Sequence, residues 1–204
     1  MRRHGVYDPF QNARPSEALL KSVYALYWKE AFLGSCVAIA ADLVISAGHH
    51  YNVLKDDVGD FSVLVRPQTW VAVEYAAKSS AHDVLVLWLG GAVGHFTTLR
   101  GFLPPLRARV STVWLSLKPP HEPVVSPGVV VESGAAGCLA RGTVSTTGSS
   151  GAPVVDTFGD FVVGLHLTSN TRDGSRVSGF IPARKVVAVL GEMGVISRVP
   201  TKSS

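Results

Sequence analysis

Thr147-Gly148-Ser149-Ser150-Gly151-Ala152-Pro153 is the stretch on which the reading of this chain turns. It has the form G-x-S-G-x-P, a serine among small residues with a proline closing a tight turn. Glycine permits backbone conformations and close approaches that a Cβ blocks. A nucleophilic serine needs that setting, because its hydroxyl must project into a cleft while neighbouring backbone N–H groups face the developing oxyanion. Gly-Ser turns are common, so the weight of the motif depends on whether a base and an acid lie upstream.

A serine hydroxyl is a poor nucleophile at neutral pH until a base removes its proton. Seven histidines are available. His49 ends the run Leu43-Val44-Ile45-Ser46-Ala47-Gly48-His49, an apolar strand leading into a small-residue turn, which puts an imidazole at a strand end. His50 is its rival. The base needs an acid to fix its tautomer and to stabilise its charged form. Asp83 directly precedes Val84-Leu85-Val86-Leu87, a buried-strand pattern, and a carboxylate at the mouth of such a strand suits that task. Asp56, Asp57 and Asp60 are closer to His49 in sequence but fall in a polar loop that is expected to face solvent.

The 204 residues are 47% hydrophobic, which argues for a packed core. Short valine-rich runs separated by 20 glycines and 12 prolines favour an all-β protein. Strands are expected at 34–40, 43–46, 61–65, 71–75 and 84–89, then at 109–117, 129–132, 138–143, 153–156, 161–167 and 177–181. Thr157-Phe158-Gly159-Asp160 reads as a hairpin turn. Pro104 and Pro105 mark a linker between the two series, and two β halves of similar length suggest tandem barrels. The expected organisation is an N-terminal arm and helix over 1–30, a first barrel over 31–101, a linker over 102–108, a second barrel over 109–182, and a C-terminal helix and tail over 183–204. Ser16 is placed to cap the first helix, running from Glu17 to about Glu30, with Leu19, Leu20, Val23, Leu26 and Tyr27 on one face. The last helix is expected at 183–190, with Pro182 at its start and Gly191 at its end.

The net charge of +4 and pI of about 9.2 are mildly basic. Arg100, Arg107, Arg109 and Lys118 flank the linker and form a candidate face for weak RNA binding, with ordinary solvated charges as the alternative. Two cysteines, Cys36 and Cys138, make no disulfide framework and suit buried thiols in a reducing compartment. No apolar run approaches the roughly 20 residues that span a bilayer. The first 21 residues lack the apolar segment of a secretory signal. No C-x-x-C or H-E-x-x-H spacing and no nucleotide-binding glycine motif occurs, so catalysis is expected to need neither metal nor cofactor.

Taken together, the motifs resemble those of the chymotrypsin-like serine proteases. Ser46-Ala47-Gly48-His49 resembles their T/S-A-x-H, Asp83 with its apolar strand resembles their aspartate, and Gly148-Ser149-Ser150-Gly151-Ala152-Pro153 is similar to their G-D-S-G-G-P. The order His, Asp, Ser is that of this family, with 34 residues from His49 to Asp83 and 67 from Asp83 to Ser150. The likeness covers roughly residues 30 to 185. It implies a double β-barrel and a peptide-bond hydrolase in which Ser150 attacks, His49 moves the proton and Asp83 orients His49. It also implies an oxyanion hole from the backbone N–H groups of Gly148 and Ser150. Ser149 replaces the family's usual aspartate, which puts activation by a freed N-terminus in doubt and fits the bacterial and viral branches.

Gly164-Leu165-His166 resembles the G-x-H strand of viral 3C-like proteases and bacterial glutamyl endopeptidases. In those families the histidine contacts a Glu or Gln side chain of the substrate, helped by a hydroxyl residue five positions before the nucleophile, here Ser145. His166 and Ser145 can donate an N–H and an O–H to such a group, and Asn170 is a further candidate for the pocket. The resemblance is greatest to the 3C-like serine proteases of positive-strand RNA viruses, of the astrovirus, arterivirus and sobemovirus kind. It implies polyprotein sites with Glu or Gln before the scissile bond, and a place in the host cytoplasm, at replication membranes through neighbouring polyprotein segments. The chain's last residues, Thr201-Lys202-Ser203-Ser204, do not match such a site. A cellular glutamyl endopeptidase is the second expectation, and an RNA-binding scaffold of the same fold the third.

Overall fold

The computed structural model describes residues 14–195, apart from 54, 67, 159 and 173. It contains twelve strands and two α-helices, arranged as two closed six-stranded barrels. The first barrel holds β1 (Val23–Trp28), β2 (Ala31–Ala40), β3 (Leu43–Ala47), β4 (Phe61–Arg66), β5 (Thr69–Lys78) and β6 (Val84–Leu89). The second holds β7 (Arg109–Leu115), β8 (Pro123–Ser133), β9 (Cys138–Arg141), β10 (Pro153–Asp156), β11 (Val162–Arg172) and β12 (Ser175–Pro182). The two close in the same order, β1-β2-β3-β6-β5-β4 and β7-β8-β9-β12-β11-β10, and all barrel pairings are antiparallel. Closure removes the unpaired edges that an open sheet would expose.

Three apolar clusters account for the packing. Leu26, Ala38, Val44, Phe61, Val63 and Leu87 fill the first barrel, and Val110, Val130, Ala140, Val154, Val163 and Phe180 fill the second. The third lies in the seam, where Val23, Val37, Ile45 and Val86 of one barrel meet Val113, Val155, Leu165 and Ile181 of the other. The C-terminal helix α2 (Ala183–Glu192) closes this seam with Val186, Val189 and Leu190. Cys36 and Cys138 are buried in different barrels as free thiols, and burial raises the pKa of each.

One element differs from expectation. The first helix does not run to residue 30; α1 spans only Glu17–Lys21, and β1 follows. Ser16 does cap it, accepting from the Leu19 N–H at 3.1 Å, but Ser22 ends it, its hydroxyl donating to the Leu19 carbonyl at 2.7 Å. Of the residues assigned to a helical face, Leu19 and Leu20 do lie on α1, but Val23, Leu26 and Tyr27 are core residues of a strand buried on both sides. Val23, Ala25 and Tyr27 enter the seam while Tyr24 and Leu26 enter the first barrel. A doubly buried strand loses the polar–apolar alternation that marks a half-buried one, and its spacing then imitates a helix. The first barrel therefore begins at Val23 rather than at 31. Residues 1–13 of the arm expected before Ser16 and the expected tail, residues 197–204, lie outside the described residues, as does Gly159 of the expected hairpin turn.

Candidate active site

The register of one strand pair assembles the base and the acid. β3 and β6 pair with Ala47 opposite Val84. Residues 48 and 83 face each other one step beyond, and the short 3-10 turn Gly48–His50 swings His49 over Asp83. The His49 backbone N–H donates to Asp83 Oδ1 at 2.6 Å, and the ring Nδ1 lies 2.7 Å from Oδ2. Facing a carboxylate, Nδ1 carries the proton and Nε2 is left as the acceptor. Gly48 permits this approach: a Cβ there would stand 2.9 Å from both Asp83 Oδ1 and the Val84 nitrogen. Burial works to raise the Asp83 pKa, but the hydrogen bonds and charge of His49, with Lys78, outweigh it and hold the carboxyl below its ordinary value.

The rival residues are occupied elsewhere. His50 Nδ1 lies 3.0 Å from Ser46 Oγ, and its ring packs over Gly34. Burial first, and then the neighbouring His49, push the His50 pKa down to about 4, so its ring is neutral at pH 7. Asp56 and Asp57 accept from the backbone N–H groups of Asn52 and Gly59, and Asp60 pairs with Lys29 at 3.3 Å.

The serine turn lies between β9 and β10. Its backbone N–H groups alternate between free and bonded. The Gly148–Ser149 peptide is held at both ends, its carbonyl accepting from Ser35 Oγ at 3.1 Å and its N–H donating to the Thr146 carbonyl at 3.0 Å. The Ser150–Gly151 peptide is held likewise, by the Ser35 N–H at 3.3 Å and the His166 carbonyl at 2.9 Å. The Ser149 carbonyl accepts from the Ala152 N–H at 3.1 Å, but the N–H groups of Gly148 and Ser150 have no acceptor among the described residues. Two neighbouring amides kept in place and unspent can receive an oxyanion.

Two glycines permit the turn. Gly148 has φ +92°, and the ring edge of Phe32 occupies the space a Cβ would need, 2.6 Å away. Gly151 has φ +78° and packs on Ser46 Oγ, the Ser35 carbonyl and the Ala47 nitrogen. The residue after Ser150 therefore touches the strand end that leads into His49. Ser150 itself is half-buried. Its hydroxyl has no hydrogen-bond partner among the described residues, His49 included. Such bonds are often long without substrate and tighten when it binds.

No family model matches this sequence, and no curated protein sequence matches it significantly. Solved structures do match in fold. An inactive serine-to-alanine mutant of Rv3671c from M. tuberculosis superposes with a TM-score of 0.70 at 15% identity, over 92% of this chain and 98% of that one. Neuropsin, a serine protease of mouse brain, gives 0.68 at 12% identity, over 87% and 96%. The HtrA-type protease AlgW with a decapeptide gives 0.67 at 14% identity, over 87% of this chain and 65% of that one. The fold is chymotrypsin-like.

In this chymotrypsin-like frame β11 borders the serine turn. The His166 N–H donates to the Ala152 carbonyl at 2.8 Å, and its carbonyl holds the Gly151 N–H. The His166 side chain is 1% exposed. Its Nδ1 is buried without a partner among the described residues. Burial, with a smaller effect from His49, lowers its pKa to about 4. Ser145 is not bonded to His166; its hydroxyl meets that of Ser169, three residues further along β11. Asn170 follows Ser169 on the exposed half of this strand. Ser169 was not singled out in the sequence, although its position on the G-x-H strand could have suggested it. Of the basic residues near the linker, Arg100 stacks on the Phe161 ring at 4.2 Å, and Arg109 lines a groove with Arg14 and Arg141.

Proposed function

We propose that this chain is a serine endopeptidase acting through an acyl-enzyme on Ser150. His49 Nε2 takes the Ser150 proton and returns it to the leaving amine, Asp83 fixes the imidazole, and the Gly148 and Ser150 N–H groups receive the oxyanion. The observation that carries this reading is the turn with alternate N–H groups left unspent, packed through Gly151 on the strand end that bears the His49–Asp83 pair. The test is to treat wild type and Ser150→Ala with a fluorophosphonate and with a peptide library. Wild type is expected to be labelled on Ser150 and to cleave; the variant should do neither. Cleavage surviving in Ser150→Ala would overturn the mechanism.

The preferred substrate in this reading is a polypeptide with Glu or Gln before the scissile bond. Support comes from His166, a buried neutral ring with an unspent nitrogen on the strand that borders Ser150. A neutral imidazole offers one N–H donor, which suits a carboxamide or a carboxylate oxygen. Ser145 and Asn170 complete the proposed pocket. The setting we favour is processing of a viral replicase polyprotein in the host cytoplasm, at replication membranes through neighbouring segments; the G-x-H strand and Ser149 support it. Cleavage after basic or aromatic residues in the same digest would remove the pocket reading and leave the mechanism standing.

A further inference from the structure

We infer that the Ser35 hydroxyl is a positioning element for the oxyanion turn, a role that rests on the protease reading above. Ser35 lies on β2 in the seam and is fully buried. Its Oγ accepts from the Leu115 N–H of β7 at 3.0 Å and donates its single proton to the Gly148 carbonyl at 3.1 Å. One side-chain oxygen thus links a strand of each barrel to the turn that carries Ser150. The same residue holds the turn a second time, through its backbone N–H and the Ser150 carbonyl. Its own carbonyl accepts from Ser46 Oγ at 2.9 Å, which ties the arrangement to β3 and the strand end before His49.

The consequence follows from the order of peptides in the turn. A peptide plane rotates as a unit because its C–N bond is rigid. When the Ser35 hydroxyl fixes the Gly148 carbonyl, it fixes the Gly148–Ser149 plane, which is flanked by the two planes whose N–H groups are free. Gly148 has no side chain and sits at φ +92°, so little within the residue resists rotation. The Ser35 hydroxyl, the Phe32 ring edge and the bond from the Ser149 N–H to the Thr146 carbonyl supply the restraint from outside it. Without the hydroxyl the Gly148 carbonyl loses its donor and the plane is held only through its Ser149 N–H. It can then turn about Gly148, and the preceding plane, which carries the Gly148 N–H, loses its fixed direction toward the oxyanion position. Ser35 touches no reacting atom; it acts through Gly148.

This role predicts a defect confined to states that carry an oxyanion. The test compares wild type, Ser35→Ala and Ser35→Cys, with thermal unfolding measured alongside. Wild type is first treated with a fluorophosphonate, and a tetrapeptide acid is taken from its best-cleaved library sequence together with the corresponding aldehyde. The acid reads ground-state binding. The aldehyde forms a hemiacetal on Ser150 and reads the oxyanion site. Ser35→Ala is expected to weaken aldehyde binding by about 10- to 100-fold and to lower kcat comparably, less than the roughly 100- to 1000-fold cost of removing an oxyanion donor outright, because the donor is misplaced rather than lost. Its affinity for the acid should change less than about 3-fold, since substrate contacts made equally in both states are untouched. Ser35→Cys keeps the size and a weak donor, so it should fall between the two and covers the case in which the alanine variant does not fold. A general loss of structure would weaken both ligands together. An active wild type whose variants keep the aldehyde-to-acid affinity ratio overturns this inference alone. A wild type inert to the fluorophosphonate and to every peptide overturns the protease reading, and this inference with it.

Discussion

Gly151 and Ser46 are so close that a Cβ on the glycine would stand 2.1 Å from the serine Oγ. It would also meet the Ser35 carbonyl at 2.4 Å, and the backbone has φ +78°. Gly151→Ala therefore combines a left-handed strain with a clash against backbone that cannot move aside. The strain alone is worth about 1–3 kcal/mol, and the clash adds to it. The expected outcome is a loss of about 3 kcal/mol or more in urea unfolding, together with loss of fluorophosphonate labelling. A variant with wild-type stability would show that the turn does not pack on β3 as described.

The two hydrogen bonds between His49 and Asp83 give a second prediction. Asp83→Asn keeps the shape but offers Nδ1 an ambiguous partner, which allows the wrong tautomer. Substitutions of this kind cost about 10⁴-fold in kcat, and that loss is expected here near neutral pH, measured against titrated active sites. The same change alters stability. The Asp83 pKa is lowered in the folded chain, so its contribution is complete above the ordinary carboxylate value of about 3.9 and is lost as pH falls through the lower folded value. Urea midpoints below about pH 4 should therefore drop for wild type and drop less for Asp83→Asn. Parallel acid limbs in the two proteins would contradict the assigned partner.

How far the site was legible in the sequence depends on the range of each interaction. His49 and Asp83 could be found because each follows or precedes an apolar run, and the β3–β6 register brings such ends together. The serine turn could be found because φ > 0 and close approach demand glycine at 148 and 151. Ser35 could not. Nothing local distinguishes it from any serine in a strand; its role comes from Leu115 and Gly148, 80 and 113 residues away. β1 was misread for a related reason, since the seam that buries its second face is made by the other barrel. Residues whose meaning is set by chain neighbours were readable, and those set by the contact between barrels were not.

Tyr27 and His121 meet across the seam and give a third prediction. Tyr27 Oη lies 2.5 Å from His121 Nε2, and His121 Nδ1 lies 2.6 Å from the Ser116 carbonyl. A carbonyl can only accept, so Nδ1 carries the proton and Nε2 accepts from the tyrosine hydroxyl. Burial raises the Tyr27 pKa, which keeps the phenol protonated as the donor. Tyr27→Phe leaves Nε2 buried without its donor, at a cost of about 1–3 kcal/mol. Urea unfolding should show that loss. The NMR nitrogen shift of His121 Nε2 should also change in the variant; an unchanged nitrogen shift would contradict the pairing.

The two buried histidines make the acid behaviour of the fold testable. His50 and His166 both have folded pKa values near 4, below the ordinary value of about 6.5. Between those values the unfolded chain takes up protons that the folded chain refuses. Stability must then fall as pH drops from about 6.5 toward 4, and this contribution levels off below that. His50→Gln and His166→Gln should each flatten the dependence of the urea midpoint in this window, and the double variant should flatten it most. The two differ in activity. His166→Gln is expected to lose cleavage after Glu or Gln selectively, because the ring nitrogen assigned to the substrate side chain is gone. His50→Gln can still bond Ser46 through its amide and should leave that preference intact. A preference that shifts with His50 rather than His166 would place the pocket on the wrong histidine.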